Sequence, residues 1–313
     1  MLNKKSKIFI SGHRGMVGSA CWRLLESCGY ENLIGEDSVN LDLRNQNKVF
    51  EFIKSENPDV IINAAAKVGG IYANVSYPYE FLMDNMLIQN NLISSSFELN
   101  IKKFIFLGSS CIYPKFSSQP IKEEYLLESQ LEPTNQWYAI AKISGVKLIE
   151  SLFYKYNKEY VSLMPTNLYG PYDNFSLENS HVLPALIRKF HESKINKKEV
   201  KLWGSGKPLR EFLHVDDMAK AVLFALNNKL NEPTYNVGFG SDISIENLAK
   251  LIKKITGSEM EILWDNSKPD GTPKKLLDSS KFMNYGWKPQ IELEEGIRST
   301  YKWFLDNIEK VKK

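Results

Sequence analysis

Tyr138 and Lys142 are the pair of side chains in this sequence best suited to proton transfer. They are four residues apart in a small and apolar stretch that predicts a helix, so both leave the same helix face. A phenol is a weak acid near neutral pH, and a nearby ammonium group favours its ionised form. The spacing alone is weak evidence, because Tyr154 and Lys158 repeat it where a solvated helix face is expected. The surrounding sequence must decide between the two pairs.

A glycine-rich stretch near the N-terminus predicts a dinucleotide site. A buried strand at residues 7–10 leads into Gly12, Gly15 and Gly18, and an amphipathic helix follows. In such a loop the first glycine permits a tight turn, the second admits a pyrophosphate, and the third lets the helix pack on the strand. The free N–H groups of the helix N-terminus would bind the phosphates. The other cofactor contacts predicted here are Arg14, Met16 and Val17.

The residues after the second predicted strand leave the choice between NADH and NADPH open. That strand, near residues 32–34, is followed by Gly-Glu-Asp at 35–37. An acidic residue there favours a free ribose 2′-hydroxyl, whereas an arginine favours a 2′-phosphate. Arg14 could still reach a phosphate from the glycine loop. Asp42, followed by Leu43, is predicted to meet the adenine edge, with the N-cap of the next helix as its alternative role.

Strands alternate with helices along the first half of the chain, which predicts an α/β fold with a doubly wound parallel sheet. The strand that starts at residue 58 ends in Ala64, Ala65 and Ala66. Small side chains at this position let a flat cofactor lie against the backbone, because ligands bind at the carboxyl ends of such strands. A helix at 79–99 and a strand at 103–108 follow, and the next predicted helix carries Tyr138.

We expect two interleaved lobes, since 313 residues are enough for both. A dinucleotide-binding Rossmann lobe is predicted for residues 1–165, and the chain is expected to return to it at about 212–240. A smaller α/β substrate lobe is predicted for residues 166–211 and 241–313.

Composition and charge exclude several classes of protein. The formal net charge of +3 and the lack of an arginine-rich run argue against nucleic-acid binding. No apolar run is long enough to span a bilayer, so no membrane contact is expected. The scattered cysteines Cys21, Cys28 and Cys111 favour reduced thiols in a cytoplasm over a disulfide framework. No metal site is predicted.

Taken together, these motifs resemble the GDP-L-fucose synthase family of the extended short-chain dehydrogenases/reductases. The motifs are Gly-x-x-Gly-x-x-Gly, a strand end at 63–66, Ser109 and Tyr138-x-x-x-Lys142. The stretches most similar to that family are 11–18, 64–70, 108–115, 132–135, 165–171, 179–184, 203–218 and 269–278. The resemblance implies an NADPH-dependent enzyme, with NADH possible, that reduces the C4 ketone of a GDP-linked 4-keto-6-deoxy-mannose and epimerises C3 and C5. It also implies a homodimer.

The same resemblance implies a catalytic set of five residues. Ser109 would hydrogen-bond the oxyanion that develops when the ketone is reduced, while Tyr138 donates a proton. Lys142 would lower the pKa of Tyr138 and hold the nicotinamide ribose. Cys111 and His181 would be the base and acid of epimerisation. Their alternative roles are a small core thiol for Cys111 and a capping or core histidine for His181.

The resemblance further assigns contacts to the nucleotide sugar and the cofactor. Arg188, Arg210 and Lys275 have the right charge for a diphosphate, and Trp203 offers a flat face to a nucleoside. The remaining implied sugar contacts are Ser109, Ser110, Cys111, Asn167, His181, Val182 and Leu186. The remaining implied cofactor contacts are Tyr138, Lys142, Pro165, Asn167 and Leu168.

Differences from related patterns define the alternatives. Nucleotide-sugar dehydratases carry Thr-Asp-Glu where residues 109–111 stand here, so dehydration is not expected. Gln136 and Trp137 replace a Glu-Pro that is typical of the synthases, and Tyr172 and Ser176 replace histidines. We expect these residues near the sugar, where they would suit a GDP-4-keto-heptose C4-reductase without epimerase activity. A third alternative is a non-catalytic dinucleotide-sensing protein of the same fold.

Overall fold

The computed structural model describes residues 2–177, 179–268 and 270–311. The strands in these ranges are β1 (Ile8–Ser11), β2 (Leu33–Ile34), β3 (Val60–Asn63), β4 (Lys103–Leu107), β5 (Glu159–Pro165), β6 (Asn167–Tyr169), β7 (Val200–Trp203), β8 (Leu209–His214), β9 (Thr234–Val237), β10 (Asp242–Ser244), β11 (Ile262–Asp265) and β12 (Lys274–Lys275). The α-helices are α1 (Met16–Ser27), α2 (Gln46–Glu56), α3 (Ile71–Ser76), α4 (Pro78–Glu98), α5 (Gln136–Tyr156), α6 (Val182–Asn196), α7 (Val215–Asn227), α8 (Ile245–Thr256), α9 (Ser280–Met283), α10 (Leu293–Asp306) and α11 (Ile308–Val311).

A six-stranded parallel sheet with the order β2-β1-β3-β4-β5-β9 forms the first lobe. Strands β1, β3 and β4 are buried along their whole length, as expected for a parallel sheet covered on both faces. The direction of winding reverses between β1 and β3, so the loops after these strands border a crevice at the carboxyl edge. The predicted doubly wound Rossmann fold is confirmed.

Alternate residues of β1 pack into two different hydrophobic clusters. Ile8 and Ile10 join a cluster with residues of α1 and α7, whereas Phe9 joins one with residues of α2, α4 and α5. Because successive side chains of a strand point to opposite faces of a sheet, the two clusters lie on its two sides. The sheet is thereby held rigidly between two helical layers.

The second lobe has a smaller sheet of its own. Strand β8 pairs with β10, β12 and β6, and β7 pairs separately with β11. A third hydrophobic cluster joins residues of β6, α6, α8 and α10, including Tyr169, Ile187 and Phe304. The predicted α/β substrate lobe is therefore present, and α6 begins directly after His181.

The structure draws the borders of the lobes differently from the expected ranges. Strand β8 lies in the second sheet, but Leu213 near its end packs in the first hydrophobic cluster, so the chain passes into the Rossmann lobe along β8. Phe282 and Trp287 also pack in the first lobe, where the rings of Phe282 and Tyr235 are 5.5 Å apart. Part of the expected substrate range 241–313 therefore belongs to the Rossmann core.

Helix α5 begins at Gln136, which places Tyr138 in its first turn and Lys142 one turn later. We predicted α5 as the first helix after β4, but two short 3₁₀ helices, Ser110–Ile112 and Glu123–Tyr125, precede it. The Lys142 ammonium group donates to the carbonyl oxygen of Leu107 at 2.8 Å. This bond fixes the first turns of α5 against the carboxyl end of β4.

The cysteines of the described ranges are free. Cys21 is buried, and burial raises the pKa of its thiol to about 12. Cys28 and Cys111 are half-buried. Among the described helices, none combines the length and the apolar character that a bilayer crossing requires.

Candidate active site

The glycine loop follows β1 and passes close to the chain after β3. Gly12 has a φ of 73°, in the region that favours glycine, and a Cβ there would lie 2.8 Å from the Ala65 nitrogen. A Cβ on Gly18 would overlap the carbonyl oxygen of Gly12. Gly15 is the N-cap of α1, and no side chain in the described ranges caps this helix. The first turn of α1, starting with Met16 and Val17, therefore offers its N–H groups to a pyrophosphate.

Small and half-buried residues continue this edge of the sheet. Residues 64–66 follow β3 as three half-buried alanines, and the Ala64 N–H donates to the Ser11 carbonyl at 3.1 Å. Pro165 ends β5, and Asn167 and Leu168 are half-buried in β6. The Asn167 amide donates to the Glu211 carbonyl at 2.7 Å, which holds its side chain against β8. Together with the glycine loop, this edge fits an extended dinucleotide.

Arg14 and Asp37 form an ion pair at the end of β2. The Arg14 guanidinium is 3.0 Å from the Asp37 carboxylate and remains largely exposed. Backbone N–H groups of Asn40 and Val39, together with Arg14, lower the pKa of Asp37. Asp37 is therefore an anion at neutral pH, and the cation predicted to reach a 2′-phosphate is already paired with it.

Asp42 pairs with Arg44 rather than capping a helix. Its carboxylate is 2.9 Å from the Arg44 guanidinium, and hydrogen bonds from Arg44 lower the pKa of Asp42. The N-cap of α2 is Asn45, so the alternative role for Asp42 is wrong. Leu43 is half-buried, and its carbonyl accepts a hydrogen bond from Asn91 at 2.9 Å.

Ser109, Tyr138 and Lys142 meet where β4 ends and α5 begins. The Ser109 hydroxyl accepts the Cys111 N–H at 3.2 Å and also hydrogen-bonds Tyr138. Desolvation and then the neighbouring Cys111 raise the pKa of Tyr138, against the Ser109 hydrogen bond, which lowers it. The phenol is therefore held in its protonated form. The ring also packs edge-on against Phe81, at 6.4 Å between centroids.

Lys142 was expected to lower the pKa of Tyr138, but the pKa of Tyr138 is raised. Its ammonium is 5.8 Å from the centre of the Tyr138 ring and is bound to the Leu107 carbonyl. Burial lowers the pKa of Lys142 to about 7. Because both groups are removed from water, each is pushed towards its neutral form, and the pKa of Tyr138 is raised rather than lowered.

Cys111 lies between donors from both lobes. Its sulfur is 3.3 Å from the Asn135 amide nitrogen and 3.7 Å from the Lys275 ammonium. The Lys275 charge also acts on His181, which keeps an exposed surface in the described chain. Desolvation by the surrounding protein and then this cation lower the pKa of the His181 imidazole. Lys275 is therefore the common neighbour of the two residues predicted to epimerise the sugar.

Arg210 reaches the same region from β8. It lies directly opposite Lys275 in the β8–β12 pair, and its guanidinium donates to the Leu209 carbonyl at 2.8 Å. Burial lowers the pKa of Arg210, while Cys111, Asp270 and Glu132 act in the opposite direction. Two cations on neighbouring strands thus lie beside Cys111, which is a suitable place for a diphosphate.

Comparison with known proteins agrees with this geometry. The NAD dependent epimerase/dehydratase family matches residues 8–238. The chain belongs to this family. It is 52% identical over 309 residues to GDP-L-fucose synthase 1 of Arabidopsis thaliana, covering 98% of this chain and 96% of the relative. The resemblance to GDP-L-fucose synthases that the motifs indicate is confirmed.

Two solved structures extend the comparison. A GDP-6-OMe-4-keto-L-xylo-heptose reductase from C. jejuni has a TM-score of 0.93 and 36% identity, with coverage of 98% of this chain and 99% of that one. A GDP-L-fucose synthetase from Naegleria fowleri bound to NADP has a TM-score of 0.92 and 30% identity, covering 100% and 96%. Both align over almost the whole length of the chain.

Some of the predicted sugar contacts lie beside Cys111 and His181 or at the surface, whereas one of them is buried in the core. Val182 follows His181 at the start of α6, Ser110 is buried behind Cys111, and the Trp203 side chain is 63% exposed. Leu186, by contrast, is 3% exposed and belongs to the third cluster, so its side chain offers no surface to a nucleotide.

Arg188 is half-buried and already bonded. Its guanidinium is 2.8 Å from the Glu192 carboxylate and donates to the Phe175 carbonyl at 3.2 Å. A diphosphate would have to compete with both partners, whereas Arg210 and Lys275 lie beside Cys111 without a carboxylate within ion-pair distance in the described ranges. Arg210 and Lys275 are therefore the stronger candidates for phosphate contacts.

Tyr172 packs between two helices. Its ring is 4.9 Å from the Trp303 ring, and the Arg23 guanidinium lies 5.0 Å from the centre of the same Tyr172 ring. Tyr172 thus joins α1 to α10, and its φ of 67° turns the chain to make this contact. The contacts with Trp303 and Arg23 fix the ring between two helices, and the expectation that Tyr172 lies near the sugar stays a prediction.

Sequence reasoning missed Asn135 as a site residue. It is the N-cap position of α5, three residues before Tyr138, and its amide contacts the Cys111 sulfur. An amide just before the tyrosine helix could have been noticed, because the start of that helix must face the end of β4. Nothing in the sequence indicated that Lys275 would meet Cys111, since 164 residues separate them.

Proposed function

We propose that this protein epimerises a GDP-linked 4-keto-6-deoxy-mannose at C3 and C5 and reduces its C4 ketone with NADPH. One observation carries the proposal. Ser109 accepts a hydrogen bond from the Cys111 backbone and also hydrogen-bonds Tyr138, so the groups for reduction and for enolisation share one site. The membership of the chain in a family that contains GDP-L-fucose synthases supports the nucleotide and the sugar.

NADPH is the cofactor that this site and the relatives support. When bound, it supplies the hydride that reduces the ketone carbon. The uncapped first turn of α1 and the bare backbone of Gly12, Gly15 and Gly18 bind the pyrophosphate. The alanines at 64–66 would lie against the dinucleotide, and Pro165, Asn167 and Leu168 would border its nicotinamide half. Lys142 would bind the nicotinamide ribose.

During reduction, Tyr138 is the general acid. Its raised pKa keeps the proton on the phenol until the ketone oxygen becomes negative enough to take it. Ser109 donates a second hydrogen bond to that oxygen. The Leu107 carbonyl and the Phe106 ring hold the Lys142 ammonium in place. The ammonium lies 4.8 Å from the centre of the Phe106 ring.

During epimerisation, Cys111 is the base and His181 the acid. A carbon next to a ketone loses a proton readily because the carbonyl oxygen takes up the electron pair. The Asn135 amide and the Lys275 ammonium lie against the Cys111 sulfur, where they stabilise negative charge. His181 supplies a proton to the opposite face of the carbon. Its lowered pKa makes the imidazolium the stronger acid.

The nucleotide end of the substrate binds on the second lobe. Arg210 and Lys275 contact the diphosphate from neighbouring strands, and the exposed Trp203 ring packs on the nucleoside. Lys275 therefore serves both the diphosphate and Cys111. Val182 and Ser110 complete the walls beside His181 and Cys111.

Consumption of NADPH tests this proposal directly. Purified protein is mixed with NADPH and GDP-4-keto-6-deoxy-mannose, and the cofactor absorbance is followed. Steady consumption that requires the keto sugar supports the proposal. No consumption with this sugar, while cofactor still binds, would favour the dinucleotide-sensing alternative, which the presence of Ser109, Tyr138 and Lys142 makes the weakest reading.

The second candidate function is reduction of a GDP-4-keto-heptose without epimerisation. The heptose reductase from C. jejuni, with a TM-score of 0.93, is the observation that favours it. Faster NADPH consumption with a GDP-4-keto-heptose than with the 6-deoxy-hexose would establish this function instead.

The cofactor preference depends on the ion pair between Arg14 and Asp37. A 2′-phosphate must share Arg14 with a carboxylate 3.0 Å away, so we expect NADPH to be preferred to NADH by less than about 10³-fold, since one charged contact gives roughly 1.5–3 kcal/mol. Asp37→Asn should raise the preference about two- to fivefold, because exposed ion pairs are worth about 1 kcal/mol or less. The measurement is kcat/KM with each cofactor.

Glu36→Gln is the matched control, because it removes a neighbouring charge that does not contact Arg14. A wild-type preference far above 10³-fold, or equal effects of the two variants, would show that Arg14 and Asp37 do not set the preference.

We also propose a homodimer formed through α4 and α5. These helices pack side by side and expose Leu87 and Tyr79 on α4 and Ile140 on α5. Light scattering should give twice the 35.9 kDa chain mass, and Leu87→Glu should shift the protein towards the monomer. A wild-type monomer at micromolar concentration would contradict the dimer.

We propose a cytoplasmic location on the basis of the thiols. Cys21, Cys28 and Cys111 are all free, and Cys111 must stay reduced to act as a base. Cell fractionation followed by immunoblotting tests the location. Recovery of the protein from an oxidising compartment would contradict it.

A further inference from the structure

A loop of the Rossmann lobe touches the chain immediately before His181. The Gly70 N–H donates to the Asn179 carbonyl at 3.1 Å. A Cβ on Gly70 would lie 2.7 Å from the Ser180 carbonyl oxygen, which is closer than real Cβ atoms approach a backbone atom. The φ of Gly70 is −67°, which any residue adopts. The contact between the lobes, and not the backbone conformation, therefore requires glycine here.

Two buried amides hold this loop, residues 67–70, in place. The Asn74 amide donates to the carbonyl oxygens of Gly69 and Gly70 at 2.9 and 3.1 Å. Asn85 accepts the Lys67 N–H at 2.9 Å and donates to the Lys67 carbonyl at 3.0 Å. Both amides are buried, so the loop is a fixed surface against which Asn179 and Ser180 lie.

His181 depends on this surface for its position. It is the N-cap of α6, and its carbonyl accepts the Ala185 N–H at 3.2 Å, which fixes the chain on one side. No hydrogen bond to a described residue holds its ring. The position of the imidazole is therefore set by the backbone on its two sides. On the N-terminal side, Ser176 holds Asn179 and Ser180 from within the same segment, and Gly70 is the contact from the Rossmann lobe.

We propose that Gly70 is a positioning residue for His181, placing the acid of epimerisation opposite Cys111 through its close contact with Ser180. The proposal rests on the function proposed above. It implies that the Rossmann lobe controls the epimerisation through the loop of residues 67–70, although His181 itself belongs to the other lobe.

The chemistry gives this role a specific signature. Cys111 breaks a C–H bond and takes the proton, and the electron pair moves to the carbonyl oxygen as an enolate. His181 then adds a proton to the opposite face, and the configuration inverts. When His181 is out of place, the Cys111 thiol returns a proton to the original face. Because a thiol exchanges with solvent, deuterium oxide then gives a labelled sugar of unchanged configuration.

The test is Gly70→Ala in deuterium oxide with GDP-4-keto-6-deoxy-mannose and no NADPH. NMR of the sugar measures deuterium incorporation and configuration separately. We expect inversion to fall about 10²-fold, as a displacement of about 1 Å at a catalytic group can cost that much, while deuterium incorporation stays within about threefold of wild type. Equal losses of inversion and of deuterium incorporation in a folded Gly70→Ala protein would overturn the proposal, since they would mean that Gly70 does not act on His181 in particular.

Two further variants complete the test. Val75→Ala removes an exposed side chain on α3, next to the loop, and should change neither rate. Asn74→Ala loosens the loop without adding a clash and should reproduce the loss of inversion if Gly70→Ala does not fold. Wild-type inversion rates in both Gly70→Ala and Asn74→Ala would overturn the positioning role of Gly70 and leave the roles of Cys111 and His181 unchanged. Absence of exchange in the wild type would instead reject Cys111 and His181 as the epimerising pair.

Discussion

Replacing Tyr138 with phenylalanine is expected to lower ketone reduction by about 10²–10⁴-fold, the usual loss for a missing general acid. The hydroxyl acts only when the ketone oxygen becomes negative, so binding of NADPH should change little. The ring should stay in place because its contact with Phe81 does not use the hydroxyl. Single-turnover kinetics gives the rate of reduction, and titration of cofactor fluorescence gives the affinity.

Tyr154→Phe is the matched control for this variant. Tyr154 and Lys158 repeat the same spacing, but Tyr154 is 68% exposed and its hydroxyl contacts only Glu232 among the described residues. This variant should retain wild-type turnover. Near-normal reduction in Tyr138→Phe, or equal losses in the two variants, would remove Tyr138 from the mechanism.

Replacing Cys111 with serine should abolish epimerisation while sparing reduction. A serine hydroxyl is a far weaker acid than a thiol, so it is not ionised beside Lys275 and cannot remove the sugar proton. Deuterium exchange without NADPH should fall by at least about 10²-fold, the lower range for loss of a catalytic base. Reduction of a 4-keto sugar already in its final configuration should stay within about threefold, because Ser109 and Tyr138 are unchanged.

Cys28→Ser provides the comparison for Cys111→Ser. Cys28 is a half-buried thiol that follows α1, and its variant should behave as wild type in both assays. Exchange that survives in Cys111→Ser would mean that another group removes the proton. Loss of exchange and reduction together would mean that the sulfur is needed for the shape of the site.

The sequence was most informative where local physics determines the structure. The glycine spacing requires a strand, a tight turn and a helix in that order, and β1, Gly12 and α1 have this arrangement. The four-residue spacing of Tyr138 and Lys142 requires only one helix, and α5 supplies it. Such features depend on neighbours in the chain, so they can be predicted without knowing the packing.

Contacts between distant segments could not be predicted. Desolvation and then the neighbouring Cys111 raise the pKa of Tyr138, and Lys142 is bound to the Leu107 carbonyl. These facts depend on how α5 meets β4. The contacts of Tyr172 with Arg23 and Trp303 join segments that are far apart in the chain, so the sequence did not indicate them. The pairing of β8 with β10, β12 and β6 in the second sheet also depends on long-range packing.

The central claim is that one site both epimerises and reduces the sugar. Running the wild-type reaction to completion in deuterium oxide, with GDP-4-keto-6-deoxy-mannose and NADPH, tests it in one sample. NMR of the product should show deuterium at C3 and C5, inverted configuration at both carbons, and a new hydroxyl at C4. A fully reduced sugar that carries no deuterium at C3 or C5 would contradict the claim and leave a C4-reductase alone.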